Sequence, residues 1–402
     1  MRLQLINFLK VHPHILVFFW KIISFIMNVL KKVCSIKEKQ ILFVSYGGRK
    51  FDDSPKAIYD EICKRKEFEN WNLIWAFVEP NLFNIPRGNK IKIDTLSFLK
   101  ALVSSHVWVS NSGMTRGVEY SDDRIIKIET WHGSVLKKGC GDENTHVLGG
   151  KRKKHSTTDL ATIRCAQSDI DIDVLSWLFN ASKDSFIKAG FPRNDELANS
   201  TEEDRVKAKE ILGIPLDKKV ILYMPTWRQY DLDSSNNIFC KPPINIDYWR
   251  NKLGNDYVLL IRAHYAVSAA LALKDDEFVK NVSNYPKIND LYLASDILIS
   301  DYSSAIIDYS ILERPIFCFA YDYEKYIKKI GLYLDLEKEF PEHFYKTEKD
   351  LIVKITNIVW SNSLKVVKDF KQKHANYAKG FASHKVVDRL VFRLSLEGEG
   401  KL

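Results

Sequence analysis

Several features are missing from this sequence, and each absence narrows what the chain can be. Its six cysteines (Cys34, Cys63, Cys140, Cys165, Cys240 and Cys318) form no C-x-x-C pair and no metal-ligand spacing. Reduced, mostly buried thiols are therefore expected, and no metal site. Neither G-x-x-x-x-G-K-S/T nor G-x-G-x-x-G occurs, so neither a P-loop enzyme nor a dehydrogenase is supported. There is no internal repeat and no low-complexity segment. A basic stripe on the folded part is also missing. The formal charge is +9, but residues 1–40 hold seven bases against one acid, which leaves about +3 for everything after them. No nucleic-acid partner is expected from that distribution. Finally, no apolar run is clean enough to span a bilayer, which takes roughly 20 residues. The stretch Ile15–Leu30 is interrupted by Lys21, Ser24 and Asn28.

Those interruptions recur at helical spacing and continue into Lys31 and Lys32, forming one polar stripe. Such a helix fits lying in the interface of an anionic membrane, held by its bases. The same periodicity also fits a helix packed on the protein's own core. No small-residue cleavage site follows, so a signal peptide is not expected.

What the sequence does contain is alternation. A chain of 402 residues with 46% hydrophobic content has enough for two well-filled cores. Strand-like runs at Gln40–Tyr46, Leu73–Val78, Val107–Ser110 and Ile125–Glu129 are separated by helical pattern, as at Leu96–Val103 and after Ser54–Pro55, where Ser is read as the N-cap. The pattern restarts near residue 219, with runs at Val220–Met224, Tyr257–Ile261, Asp296–Ile299 and Ile316–Ala320. Two α/β units in series, joined around Ala189–Asp195, predict two doubly wound, Rossmann-like domains facing a cleft. The stretch Ser363–Leu396 reads as one or two long helices. The domains are placed at residues 1–39 (basic arm), 40–188, 189–362 and 363–402, the last packing back across the others.

Parallel sheets bind ligands beyond the carboxyl ends of their strands. Four predicted strands run into chemically loaded loops: Thr130-Trp131-His132-Gly133-Ser134, Pro225-Thr226-Trp227-Arg228, Arg262-Ala263-His264-Tyr265 and Ser300-Asp301-Tyr302-Ser303-Ser304. Ser303 and Ser304 precede a helical pattern, where their hydroxyls and N–H groups can hold a phosphate; serines at that place also serve as plain caps. Arg228 can clamp a diphosphate through its fork, or make an ordinary ion pair. Gly133 lets a substrate approach the backbone beside His132, which can take a proton from an attacking hydroxyl. His264, next to Arg262, can stabilise developing charge on phosphate. Lys151-Arg152-Lys153-Lys154 reads as a solvated loop, or as an attractor of a polyanion or lipid head groups.

The segments TWHGSVLKK (Thr130–Lys138), GFPRND (Gly190–Asp195), YMPTWR (Tyr223–Arg228), IRAHY (Ile261–Tyr265) and SDILISDYSSAIIDYSILERPIFCFAY (Ser295–Tyr321) together resemble the CDP-glycerol glycerophosphotransferase family, over roughly Ile41 to Leu390. The resemblance implies a glycosyltransferase-B type fold. It also implies attack of an acceptor hydroxyl on the β-phosphorus of CDP-glycerol or CDP-ribitol, with CMP released. It makes His132 the base and His264 its catalytic partner. Thr226, Arg228, Arg262, Asp301, Ser303 and Ser304 fall on the donor side, and Gly133, Lys137, Lys138 and Arg193 on the acceptor side. The acceptor would be a lipid-linked, polyanionic teichoic acid or capsule polymer, and the place of reaction the cytoplasmic face of the membrane. No metal and no cofactor is expected. In this chain Gln229-Tyr230-Asp231 and Lys379–Lys385 depart from the family pattern. A nucleotide-sugar glycosyltransferase on the same fold and a non-catalytic membrane scaffold are the other readings; a donor assay separates the first, and the effect of removing His132 the second.

Overall fold

The structure is a computed structural model and describes residues 13–115, 118, 120–138, 162–226, 228, 242–263 and 274–398. His264, Trp227, the 151–154 basic run, Cys140 and Cys240 lie outside these residues. The other four cysteines are free thiols.

Two parallel sheets organise the chain. The first contains β1 (Lys37–Val44), β2 (Asn72–Phe77), β3 (Asn89–Lys92), β4 (Ser105–Ser110), β5 (Ile126–Glu129), β6 (Thr162–Ala166) and β7 (Phe186–Lys188), in the order β3-β2-β1-β4-β5-β6-β7. The second contains β8 (Lys219–Met224), β9 (Tyr257–Ile261), β10 (Val279–Asn281), β11 (Ile297–Ser300), β12 (Ile316–Phe319) and β13 (Phe344–Tyr345), in the order β10-β9-β8-β11-β12-β13. Both orders step outward on each side of the first strand, the doubly wound pattern that opens a crevice at the carboxyl edge.

Central strands read as unbroken apolar runs because helices cover both their faces. Residues 41–44 of β1 and 257–261 of β9 are wholly buried. Phe43 stacks on Trp75 at 5.1 Å and 15°, and Phe51 meets Trp75 edge-on at 4.8 Å. Full burial of each such ring stabilises by about 1.5–3 kcal/mol. Five strands were not expected from the sequence: β3, β6, β7, β10 and β13. Four of them are short and sit at or next to a sheet edge, where polar residues such as those of NKIK in β3 face solvent. The helix expected to start at Ser54 starts one residue earlier and spans Asp53–Lys64. Asp53 stands at φ +67°, and its carboxylate accepts the Ser54 N–H at 2.7 Å, so Ser54 is not the cap.

The helix Pro13–Val33 packs Ile23, Met27 and Leu30 against Phe98, Leu102 and Trp108 of the first domain. Lys31 reaches back to the Ser121 carbonyl at 2.9 Å. Phe18, Ile22, Phe25, Val29 and Val33 stay exposed on the opposite face. No helix among the described residues is long and apolar enough to cross a membrane.

After β7 the chain passes to the second sheet through Gly190, whose φ of +89° and whose closeness to Ala378 leave no room for a side chain. The last helix, Ala382–Gly398, returns to the first sheet and packs on Asp53–Lys64 and β6. Its N-terminus is capped from the crossover: the Asp195 carboxylate accepts the Ala382 and Ser383 N–H groups, each at 2.8 Å. The segment Lys379–Lys385 is therefore tied to the crossover between the two sheets.

Candidate active site

The carboxyl edges of the two sheets meet. From β5, Thr130–Ser134 turns through two unusual conformations, Trp131 at φ +59° and Gly133 at φ +147°. This strained turn presents His132 at the edge of the sheet. His132 Nδ1 lies 3.0 Å from the Asn111 carbonyl oxygen, at the end of β4. A carbonyl only accepts, so Nδ1 carries a proton, and in the neutral ring Nε2 keeps its lone pair. Trp131 packs on the imidazole at 4.0 Å, and the Tyr46 ring lies 6.0 Å away.

From the other sheet come the loops after β8 and β11, tied together by Asp301. Its Oδ1 accepts the N–H of Thr226 at 2.9 Å and of Tyr302 at 2.7 Å, while Oδ2 pairs with Arg228 at 2.9 Å. The sequence reading gives Arg228 a diphosphate; the structure gives its fork to Asp322, with bonds of 2.8 and 2.9 Å. Arg228 is 1% exposed and boxed by the rings of Tyr302, Tyr321 and Tyr326 at 4.7–5.3 Å. Both carboxylates outweigh burial and hold the guanidinium charged. Arg228 and Asp301 thus fix the shape of the loop. Ser303 and Ser304 line the cleft beside them, while Thr226 Oγ1 is buried and, among the described residues, has no hydrogen-bond partner.

Between the two sides lies an open cleft of about 190 Å³, lined by Trp131–Lys137 from the first domain and Tyr302, Ser303 and Ser304 from the second. At Gly133 a β-carbon would stand 3.1 Å from Ser304 Oγ and 3.0 Å from Arg193 Nη2, so a side chain here would intrude on the site. Arg262 gives Nη1 to the Tyr285 carbonyl at 2.6 Å. Burial lowers its pKa, and among the described residues it has no ion-paired carboxylate. Lys138 is exposed, and its N–H bonds the Gly331 carbonyl at 3.2 Å.

Arg193, placed on the acceptor side by the sequence, is an interdomain clasp. Nη1 donates to the His132 carbonyl at 2.5 Å and to Asp53 at 3.1 Å, and Nη2 donates to Asp308. Burial opposes its charge, and Asp308 and Asp53 outweigh it. The bonds continue beneath the loop. Asp308 Oδ1 accepts from Asn194 at 2.7 Å and Gln167 at 3.2 Å; Gln167 donates to Ser134 Oγ at 3.1 Å, and Ser134 to Asp171 at 2.7 Å. Asp171 is buried, which pushes its carboxyl up to about 7. Sequence reasoning missed Asp53, Gln167, Asp171 and Asp322 here. The signal available for them was slight: Asp53 and Asp171 stand among other acids in polar runs (FDDSPK and SDIDID), and Gln167 and Asp322 come just after strands with no motif to mark them.

A sequence model of the CDP-glycerol:poly(glycerophosphate) glycerophosphotransferases matches residues 25–392. The chain belongs to this family. It is 33% identical over 342 residues to the teichoic acid poly(glycerol phosphate) polymerase of Staphylococcus epidermidis, covering 82% of this chain and 47% of that one. It is 32% identical over 364 residues to the polymerase of the same description from Bacillus spizizenii, covering 88% and 92%. The chain thus spans about half of the first relative and nearly all of the second. Among solved structures, a histidine variant of the wall teichoic acid polymerase TagF soaked with CDPG superposes with a TM-score of 0.82 at 29% identity, over 99% of each chain.

Proposed function

We propose that this glycerophosphotransferase moves glycerol phosphate from CDP-glycerol to a hydroxyl of a lipid-linked teichoic acid or related polymer, on a fold of glycosyltransferase-B type. The observation that carries the reading is a histidine of fixed tautomer in a cleft whose opposite wall is Ser303 and Ser304. Nε2 of His132 takes the acceptor proton as the acceptor oxygen bonds the β-phosphorus. The bond from that phosphorus to the bridging oxygen breaks, and CMP leaves with the electron pair. The reaction balances without a cofactor.

Thr226, Ser303, Ser304 and Arg262 hold the diphosphate, joined by His264 on the strength of its motif. Thr226 Oγ1, which among the described residues is buried and without a hydrogen-bond partner, is a group to which a phosphate oxygen would supply one. Arg228 and Asp301 act through the loop they shape. Glycerol is favoured over ribitol because the matching family and both relatives named above are described by glycerol phosphate.

The helix Pro13–Val33 is assigned to the membrane surface. Phe18, Ile22, Phe25 and Val29 share one exposed face at i, i+4, i+7, i+11 spacing, while Met27 on the opposite face is buried in the protein. On this reading the enzyme is peripheral and works where a lipid-linked acceptor and an aqueous donor meet.

The test is CMP release from CDP-glycerol and from CDP-ribitol with a lipid-linked primer analogue, for wild type and His132→Ala. Release from CDP-glycerol that drops at least about 100-fold in the variant is expected. Consumption of a nucleotide sugar instead would move the chain to the glycosyltransferases. A His132→Ala protein that still supports polymer assembly in cells would turn it into a scaffold.

A further inference from the structure

The notable cation in the cleft is Lys137. It lies on the same loop as His132, five residues on, and lines the cleft with Ser303 and Ser304 opposite. Its backbone is stitched to the second domain. Lys137 bridges to Leu332, flanked by bonds from Tyr333 N–H to the Leu136 carbonyl at 2.9 Å and from Lys138 N–H to the Gly331 carbonyl at 3.2 Å. Sequence placed it with the acceptor; the fold seats it over the donor loop. The nearby Asp301 carboxylate is already engaged by Arg228 and by two backbone N–H groups. Among the described residues Lys137 makes no ion pair. Burial lowers its pKa, with Asp301 partly offsetting it. A desolvated ammonium without a paired carboxylate, lining the same cleft as a base and a pair of hydroxyls, is arranged for an anion that arrives with substrate.

We infer that Lys137 is a catalytic residue that contacts the transferred phosphate of the donor, stabilising its charge while the acceptor oxygen bonds phosphorus. The inference rests on the transfer reading above. It places one group on each side of the phosphorus: His132 receives the proton, and Lys137 neutralises the phosphoryl oxygens as CMP departs. Because the 136–138 segment is hydrogen-bonded to 331–333, the ammonium is positioned only when the two domains are together.

The experiment compares wild type, Lys137→Met and Lys137→Arg by equilibrium binding of CDP-glycerol and of CMP, and by steady-state CMP release at varied donor and acceptor. CMP lacks the transferred phosphate and serves as the internal reference. For Lys137→Met, CDP-glycerol binding is expected to weaken about tenfold with CMP binding within about twofold, and kcat to fall about 100-fold; Lys137→Arg recovers most of the binding. Circular dichroism and an unchanged thermal midpoint certify the fold, and loss of fold in Lys137→Met passes the decision to Lys137→Arg against Lys137→Gln. An acceptor KM that rises while CDP-glycerol binding stays unchanged overturns the proposal in favour of an acceptor site. Equal weakening for CMP and CDP-glycerol overturns it too, as does full activity of Lys137→Met. Wild type that neither binds CDP-glycerol nor releases CMP defeats the transfer reading itself, a result distinct from these.

Discussion

Replacing Arg193 by Met is the most informative perturbation of the site. The guanidinium bridges Asp53 in the first domain and Asp308 in the second, side chains 5% and 7% exposed. Met fills much of the volume and leaves both carboxylates buried without their counter-ion. Breaking a buried pair from one side costs about 3–5 kcal/mol. For 402 residues, an unfolding entropy of about 2.1 cal/mol/K per residue gives about 0.8 kcal/mol/K, so the midpoint should fall by about 4–6 °C if the chain melts as one unit. Asp308→Asn in the same background removes one of the stranded charges and should return about 1–3 kcal/mol of that loss, the coupling expected of contacting residues. The assay is thermal unfolding by circular dichroism for the four members of the cycle, with CMP release on the same samples. Turnover should drop more than the folded fraction does, because Arg193 also holds the His132 carbonyl. A midpoint unchanged within 1 °C together with a raised acceptor KM would refute the clasp. It would restore Arg193 to the acceptor role that its sequence position suggested.

Three further outcomes are expected. Gly133→Ala should lose at least about tenfold in turnover with a small change in stability, read by CMP release and melting, since its β-carbon would stand 3.1 Å from Ser304 Oγ. Asp171 has its carboxyl raised from 3.8 to about 7 by burial, so the folded state holds a proton that the unfolded state has lost. Its contribution is therefore full below pH 3.8 and is lost as pH rises through about 7, on the order of 4 kcal/mol across that window. Asp171→Asn keeps an oxygen for the Ser134 and Gln167 donors and should flatten the fall in melting temperature between about pH 4 and 7; an unaltered profile would rule Asp171 out as its source. Phe18→Glu with Phe25→Glu should release the protein from vesicles containing anionic lipid in a sedimentation assay without lowering its melting temperature, as both rings are exposed, at 65% and 70%.

The division between sequence and fold runs along a physical line. Periodicity is local, so β1, β2, β4, β5, β8, β9, β11 and β12 are legible as apolar runs, and the loops after β5, β8 and β11 are legible as site elements because polar residues follow those runs abruptly. The edge strands β3, β7, β10 and β13 were not, because two to four residues half in water carry little periodic signal. Helix Pro13–Val33 shows the same limit: the sequence read its polar stripe, but only packing decides which apolar face meets the protein and which meets solvent. Motifs pointed to His132, Ser303 and Ser304, which the fold brings to one cleft. They could not say what an arginine does there, because a guanidinium takes its role from the carboxylates that tertiary structure brings to it. Arg193 meets Asp53 from 140 residues away and Asp308 from 115, and Arg228 meets Asp322 from 94. Sequence determined which chemical groups reach the cleft; only the packing of the two sheets decided which charges are already paired there and which, like Lys137, remain for the substrate.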